Sequence, residues 1–328
     1  CVQCCVTSPP YWGLRDYGVT GQLGLEPTPD AYVAKMVEVF REVRRVLKDD
    51  GVIWVNLGDS FNAAGRDGHG TRIGYKQGTN RASAEGSDSN RPSCSTLKPK
   101  DLIGIPWRVA FALQADGWYL RCDVIWHKPN TMPESVKDRP TKSHEYLFLL
   151  SKREKYFYDA DAIREPVNGT SHRRGKQGPD SWKGSQFHTG KTGIHQLGRS
   201  QKVRGVTPKS AEAGSGIKAN ESFHAATWDL VDYRNKRSVW TVPTYPLPEA
   251  HFATFPRELI RPCILAGSRM GDVILDPFGG AGTTAVEAAS LGRKYVLTEL
   301  NPDYCAMAEE RIRRETSQLN MFHGRVAP

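Results

Sequence analysis

The sequence predicts an α/β protein, with a mostly parallel sheet, helices on both faces and a basic, irregular insertion. Three observations support this. Short apolar runs alternate with amphipathic helical patterns toward both ends of the chain. Two of these runs stop at turns that no strand can continue through, Thr7-Ser8-Pro9-Pro10-Tyr11-Trp12 and Asp276-Pro277-Phe278-Gly279-Gly280-Ala281-Gly282. Between them, residues 152–237 carry 17 Lys/Arg against nine Asp/Glu, nearly the whole +9 excess of the 328-residue chain.

The elements follow in order. Val2 to Val6 reads as a buried strand, and Pro9-Pro10 ends it because neither proline can donate to a ladder. Thr28 as N-cap, Pro29 at the first helical position, apolar residues at Val33, Met36, Val37, Phe40, Val43 and Leu47, and Gly51 past the end predict an amphipathic helix. Val52 to Asn56 follows as a strand and Pro106 to Ala115 as a helix closed by Gly117. Tyr119 to Trp126 and Tyr146 to Leu150 are two more strands. Arg257 to Ala266 is helical except at Pro262, which is expected to kink or split it. A short strand then reaches Asp276, Ala285 to Leu291 forms a helix stopped by Gly292, and Lys294 to Thr298 forms a strand ending at Glu299. Asn301-Pro302-Asp303 caps a last helix running to about Arg314.

A chain of this length buries an ample core, as one large domain or two modest ones. No apolar run approaches a membrane span and no signal-peptide pattern stands at the visible start, so a soluble, cytoplasmic protein with no membrane partner is expected. Seven cysteines without paired motifs predict reduced thiols. Cys1-x-x-Cys4-Cys5 has no second Cys/His pair, and Cys4 and Cys5 fall on a buried strand, so no metal site is expected. Residues 62–100 form a Gly/Ser-rich stretch with seven Lys/Arg against three Asp/Glu. A loop that long, starting just beyond a strand, is usually functional or disordered. The basic stretch interleaves ten glycines between Gly169 and Gly216 with His172, Trp182, Phe187, His188 and His195. By composition it is a solvated linker or a nucleic-acid-binding region.

Two segments carry chemistry. Thr7 to Trp12 is a rigid turn at the carboxyl end of a strand, where ligands bind in open α/β sheets. Ser8 and the carbonyls of a stiff Pro-Pro backbone can accept hydrogen bonds from an exocyclic NH2, and Tyr11 offers a face for a base to stack on. On this segment alone, a structural Pro-rich corner explains the residues equally well. Residues 272–284 give a strand, a Gly-rich turn and a helix, the arrangement of nucleotide-type cofactor sites. No Lys follows the last Gly, so this is not a P-loop, and Gly279-Gly280-Ala281-Gly282 is not the G-x-G-x-x-G fingerprint. Glu299, at the tip of the next strand about 20 positions on, stands where ribose hydroxyls are held. A cofactor with a ribose but no pyrophosphate fits best.

Together these segments resemble the β group of S-adenosylmethionine-dependent DNA amino-methyltransferases. That family's catalytic motif is (Asp/Asn/Ser)-Pro-Pro-(Tyr/Phe/Trp), matched by Ser8-Pro9-Pro10-Tyr11. Its cofactor motif is close to Asp-Pro-Phe-x-Gly-x-Gly-Thr-Thr, matched by Asp276 to Thr284. The catalytic motif comes first and the cofactor motif last, the permuted order of the β group. Trp126-His127-Lys128-Pro129-Asn130, His144-Glu145-Tyr146 and Phe255-Pro256-Arg257-Glu258-Leu259 are further matches. The resemblance implies a Rossmann-like methyltransferase sheet, a catalytic half at residues 1–160 with a variable loop at 62–100, a target-recognition insertion at 161–237 and a cofactor-binding half at 238–328. Family members usually carry an upstream segment that supplies an edge strand and an acidic contact to the cofactor adenine. A chain beginning at the catalytic strand is therefore expected to be a fragment or to hold the adenine differently.

The resemblance also implies roles. Ser8 Oγ and a backbone carbonyl, that of Pro9, would hold the target amine in tetrahedral geometry as it attacks the sulfonium methyl, and Tyr11 would stack on the flipped base. Trp12 and Trp126 are candidates for stacking or for the core, and Lys128 and Asn130 are candidates for the base pocket. Asp276 would meet the methionine ammonium, and Pro277, Phe278, Gly279, Gly280 and Gly282 would shape the floor. Thr283 and Thr284 would reach the carboxylate, and Glu299 the ribose. Arg173, Arg174, Lys176, Lys183, Arg199, Lys202 and Arg204 would meet the phosphates of double-stranded DNA, with the 62–100 loop closing over DNA or base. In the family, Ser at position 8 leans toward cytosine N4 and Asp or Asn toward adenine N6, so cytosine N4 is expected and adenine N6 is the alternative. A DNA-binding module with this fold but no activity, or a methyltransferase acting on RNA or a protein amide, are readings of other classes. A second copy of the chain and a cognate restriction enzyme are the partners such a bacterial or phage-type protein brings into question.

Overall fold

The computed structural model describes residues 1–14, 16–62, 97–166, 233–245 and 255–323. Most of the 62–100 loop and nearly all of the basic insertion lie outside the described residues. Two compact units divide the chain, Cys1–Ile163 with Lys236–Pro328, and Arg164–Asn235. In the smaller, β5 (Glu165–Pro166) pairs antiparallel with β6 (Tyr233–Arg234), and the Arg234 guanidinium meets the Glu165 carboxylate at 2.8 Å.

The larger unit is built on a seven-stranded sheet. Its strands are β1 (Val2–Thr7), β2 (Leu47–Leu57), β3 (Tyr119–His127), β4 (His144–Ser151), β7 (Val239–Thr241), β8 (Val273–Asp276) and β9 (Lys294–Leu297), in the order β7-β3-β4-β2-β1-β8-β9. Six strands run parallel and β4 runs against them, pairing antiparallel with both β2 and β3. Both faces of β1 are covered. Val2 and Cys5 pack on one side with Tyr32, Met36, Phe40 and Val43 of α1 (Pro29–Val46) and Ile105, Val109 and Leu113 of α2 (Ile105–Ala115). Cys4 and Val6 pack on the other with Leu259, Ile260, Cys263 and Ile264 of α3 (Arg257–Gly267). Burial on both faces is why Val2 to Val6 reads as a nearly unbroken apolar run rather than an alternating one.

Local chemistry sets the helix ends. Thr28 Oγ1 accepts from the Ala31 amide at 3.1 Å, capping α1 with Pro29 just inside it. The helix stops at Val46, earlier than the Gly51 stop suggests, because Leu47 already pairs with Val2 as the first residue of β2. Gly51 lies within that strand; a Cβ there would meet Leu47 Cγ at 2.5 Å and the Gln3 carbonyl at 2.9 Å. Pro262 does not split α3. The bond it forfeits is to the carbonyl of Glu258, an exposed residue where water can substitute, and the apolar face on either side holds the helix to the sheet. Helix α4 (Thr283–Ser290) begins two residues before the expected start. Helix α5 (Pro302–His323) outruns Arg314, since no Gly or Pro interrupts it before Gly324. Among the described residues no helix is long and apolar enough to cross a membrane.

Candidate active site

The carboxyl ends of β1, β2 and β8 open on one edge of the sheet, and β4, running the other way, brings its first residues to the same edge. Thr7 pairs with Val55 and Cys5 with Leu275, so the turn after Thr7 lies between Asn56 and the loop after Asp276. The two sequence motifs meet directly: Thr7 Oγ1 donates to Asp276 Oδ1 at 2.6 Å.

On one side of β1 is a web of side chains. Tyr11 Oη donates to Glu145 Oε2 at 2.7 Å, and Ser8 Oγ lies 3.4 Å from Tyr11 Oη. Asn56 Nδ2 donates to Tyr11 Oη at 2.8 Å and to Glu145 Oε2 at 2.9 Å, and stands 3.4 Å from Ser8 Oγ. Lys128 Nζ forms an ion pair with Glu145 Oε1 and sits 4.2 Å above the Trp126 ring. Gly58 has a packing reason to lack a side chain, since a Cβ there would meet the Tyr11 ring at 2.5 Å. Burial pushes the Tyr11 phenol well above its ordinary value, and the Glu145 carboxylate adds to the effect. Nearby, burial holds Lys142 and His144 below their ordinary values, and Lys142 itself adds to the lowering at His144.

On the other side of β1 the site is mostly backbone. The loop after β8 is fastened to the sheet by Gly279 N donating to the Thr298 carbonyl at 2.8 Å, and closed on itself by Gly282 N donating to the Gly279 carbonyl at 2.8 Å. Glu299 Oε2 accepts from Gly280 N at 2.8 Å and its Oε1 from Asn301 N at 2.9 Å, so one carboxylate joins the loop to the start of α5. Gly280 and Gly282 have φ of +48° and +75°. A Cβ on Gly282 would press on Ala308 at 3.1 Å, whereas on Gly280 it would find nothing nearer than 3.9 Å. The loop is thus packed from below at Gly282 and open at Gly280, leaving room for a ligand against bare backbone beside Glu299.

The expected site residues divide on this geometry. Ser8, Pro10 and Tyr11 are half-buried at the corner, and Pro9 is buried beneath it. Trp12 and Trp126 are 2% and 3% exposed, with their indoles donating to the Glu26 and Val242 carbonyls, so both are core and neither presents a face to a base. Asn130 is spent on Thr244, whose amide and carbonyl it bridges. Lys128 is neutralised by Glu145 rather than solvated. Asp276 is 1% exposed and takes hydrogen bonds from Thr7, Thr284 and the Phe278 amide, which brace the loop. Burial pushes its carboxyl up to about 6 despite those donors. Thr284 is fully buried on Asp276, and Thr283 is the first residue inside α4, accepting from Arg311 at 3.0 Å. Pro277 and Phe278 are half-buried on the loop after β8, and Cys4 and Cys5 are core. Arg173, Arg174, Lys176, Lys183, Arg199, Lys202 and Arg204 lie outside the described residues.

A family model described as DNA methylase matches residues 2–310. The chain belongs to that family. It is an S-adenosylmethionine-dependent DNA amino-methyltransferase of the cytosine-N4/adenine-N6 type. This methylase is 45% identical over 318 residues to the Type II methyltransferase M.Cfr9I of Citrobacter freundii, covering 97% of this chain and 83% of that one. It is 43% identical over 311 residues to the Type II methyltransferase M.SmaI of Serratia marcescens, covering 95% and 84%. Among solved structures, the PvuII DNA methyltransferase, described as cytosine-N4-specific, shares the fold with a TM-score of 0.53 at 16% identity, over 97% of this chain and 85% of that one. A Thermus thermophilus protein in complex with S-adenosyl-L-methionine shares it with a TM-score of 0.51 at 23% identity, over 96% and 86%.

Sequence reasoning left Thr7, Asn56, Glu145 and Arg311 without roles. Asn56 had a visible signal, a polar residue directly after the apolar run Val52 to Val55. Arg311, buried and donating to the Ala281 carbonyl and Thr283, had none beyond its place on a helix.

Proposed function

We propose that this methylase transfers the methyl group to N4 of a cytosine flipped out of duplex DNA. The observation that carries the reading is the Ser8-Pro9-Pro10-Tyr11 turn set beside the glycine loop, with the Thr7–Asp276 hydrogen bond fixing one to the other. The exocyclic amine is a poor nucleophile because its lone pair is delocalised into the ring. Two acceptors, Ser8 Oγ and the Pro9 carbonyl, draw its nitrogen toward tetrahedral geometry, a stabilisation that grows as the transition state is approached. The cofactor, when bound, supplies an electrophilic methyl on a sulfonium. The open backbone at Gly280 and the Glu299 carboxylate are the groups that fit its polar parts. Ser8 in place of Asp or Asn favours cytosine over adenine, and the basic composition of 161–237 favours DNA phosphates as its partner.

Mass spectrometry of nucleosides from DNA methylated by the purified chain tests this. N4-methylcytosine is the expected product; N6-methyladenine alone would reverse the base assignment. Absence of S-adenosylmethionine binding by calorimetry, with DNA binding intact, would leave a DNA-binding module.

A further inference from the structure

The side-chain web beside Ser8 is directional. Glu145 is an acceptor when ionised, so Tyr11 Oη must donate to it across 2.7 Å. Tyr11 Oη is then left with lone pairs, and the Ser8 hydroxyl, 3.4 Å away, points its proton at them. Ser8 Oγ is in turn left with lone pairs for an incoming N–H. Asn56 Nδ2 reaches all three oxygens and cannot reverse the order, because it only donates. The result is a chain of hydrogen bonds running from the amine site through Ser8 and Tyr11 to a carboxylate.

We propose that this chain is a proton relay and that Glu145 is its terminal acceptor. The inference rests on the methyltransferase reading above. When a neutral amine takes a methyl group from a sulfonium, the positive charge passes to nitrogen, and one N–H proton must leave. That proton moves to Ser8 Oγ as the Ser8 proton moves to Tyr11 Oη and the Tyr11 proton to Glu145 Oε2. The products are a neutral methylated amine, intact Ser8 and Tyr11 hydroxyls, and a protonated Glu145. Burial suits Tyr11 to the task, since its phenol stays protonated across the working range and can pass one proton while receiving another. The side chains of Glu145 and Lys128 are 16% and 20% exposed, so the far end of the relay reaches solvent, where the proton can be released. The 3.4 Å link is the loosest, and such links tighten when substrate is in place. Glu145 and Tyr11 act here through Ser8, as positioning and relay residues.

Tyr11→Phe and Glu145→Gln test the relay in single-turnover methyl transfer to duplex DNA, followed as a function of pH, with S-adenosylmethionine affinity measured alongside by calorimetry. Both variants are expected to bind the cofactor like the wild type and to transfer methyl roughly 10²-fold more slowly. The double variant should be no slower than the slower single, because both break the same chain. The wild-type rate should fall on the acid side, and Glu145→Gln should be flat over that interval. The charged and titratable groups facing or near Glu145 are Tyr11, Lys128, Lys142, His144 and His127. An acid limb that survives in Glu145→Gln would belong to one of them and overturn the proposal, as would wild-type rates in either variant. Tyr11→Phe removes a single oxygen, so it decides the matter even if Glu145→Gln misfolds. A wild-type chain that methylates no DNA amine would overturn both readings, whereas active wild type with unaffected variants would overturn the relay alone.

Discussion

The corner after β1 and the loop after β8 lie side by side, yet they are made of opposite materials. At the corner, Ser8, Tyr11, Asn56, Lys128 and Glu145 form a web of side chains joined through the Tyr11 hydroxyl and the Glu145 carboxylate. At the loop, four residues contribute mainly backbone, and Gly279 and Gly282 are distinguished by what they lack. The corner is therefore sensitive to deletion and the loop to addition. A site that must bend electron density needs side-chain acceptors, while one that must lie close to a flat ligand needs bare amides.

Four changes sharpen the contrast, and the largest effect is expected at Gly282. Gly282→Val forces a β-branched residue to φ +75° and drives its Cβ into Ala308; about 2–5 kcal/mol of stability should be lost along with cofactor binding, read by denaturant unfolding and calorimetry. Gly280→Ala, with open space beside it, is the internal control and should cost only about 1 kcal/mol. A similar loss at both positions would show that loop strain, not packing, governs this side. Ser8→Ala should slow methyl transfer about 10²-fold with cofactor affinity unchanged, because one acceptor aimed at the developing charge is gone. Full activity in that variant would remove the corner from the chemistry.

The fourth change concerns the bridge between the two regions. The carboxyl of native Asp276 sits above its ordinary 3.8, at about 6, so between those values the folded chain holds a proton that the unfolded chain has lost. The stability this contributes is full below the unfolded value and disappears as pH rises through about 6, amounting to about 3 kcal/mol. Asp276→Asn, permanently neutral, should unfold without that dependence; subtracting its pH–stability curve from that of the wild type isolates the effect. A flat difference curve would mean that Thr7, Thr284 and the Phe278 amide fully compensate the burial.

Much of this was legible in the sequence where the signal is local. The Thr28 cap with Pro29, the Pro9-Pro10 stop and the glycines of the loop each act within a few residues of themselves, and each appears where the sequence implies. What escaped depends on partners far along the chain. Gly51 looks like a helix stop until Leu47 pairs with Val2, and nothing near Asp276 announces that Thr7, 269 residues away, donates to it. Trp12 and Trp126 suit a base equally well until the sheet closes over them. Glu145 is invisible as a site residue because nothing in its own strand says that β4 runs backward, and only that reversal brings the beginning of the strand to the catalytic edge.

The placement of β8 beside β1 also bears on when the molecule becomes an enzyme. During synthesis β2 can zip onto β1 early, but the other edge of β1 waits for residues near Ile274, which emerge after most of the chain. For that interval the ribosome carries a nearly complete sheet with one unpaired edge, the kind of surface on which neighbouring strands misassemble. Closing that edge and fastening Thr7 to Asp276 are one event. A nascent chain thus covers the open edge of its central strand β1 and sets the corner against the glycine loop in the same step.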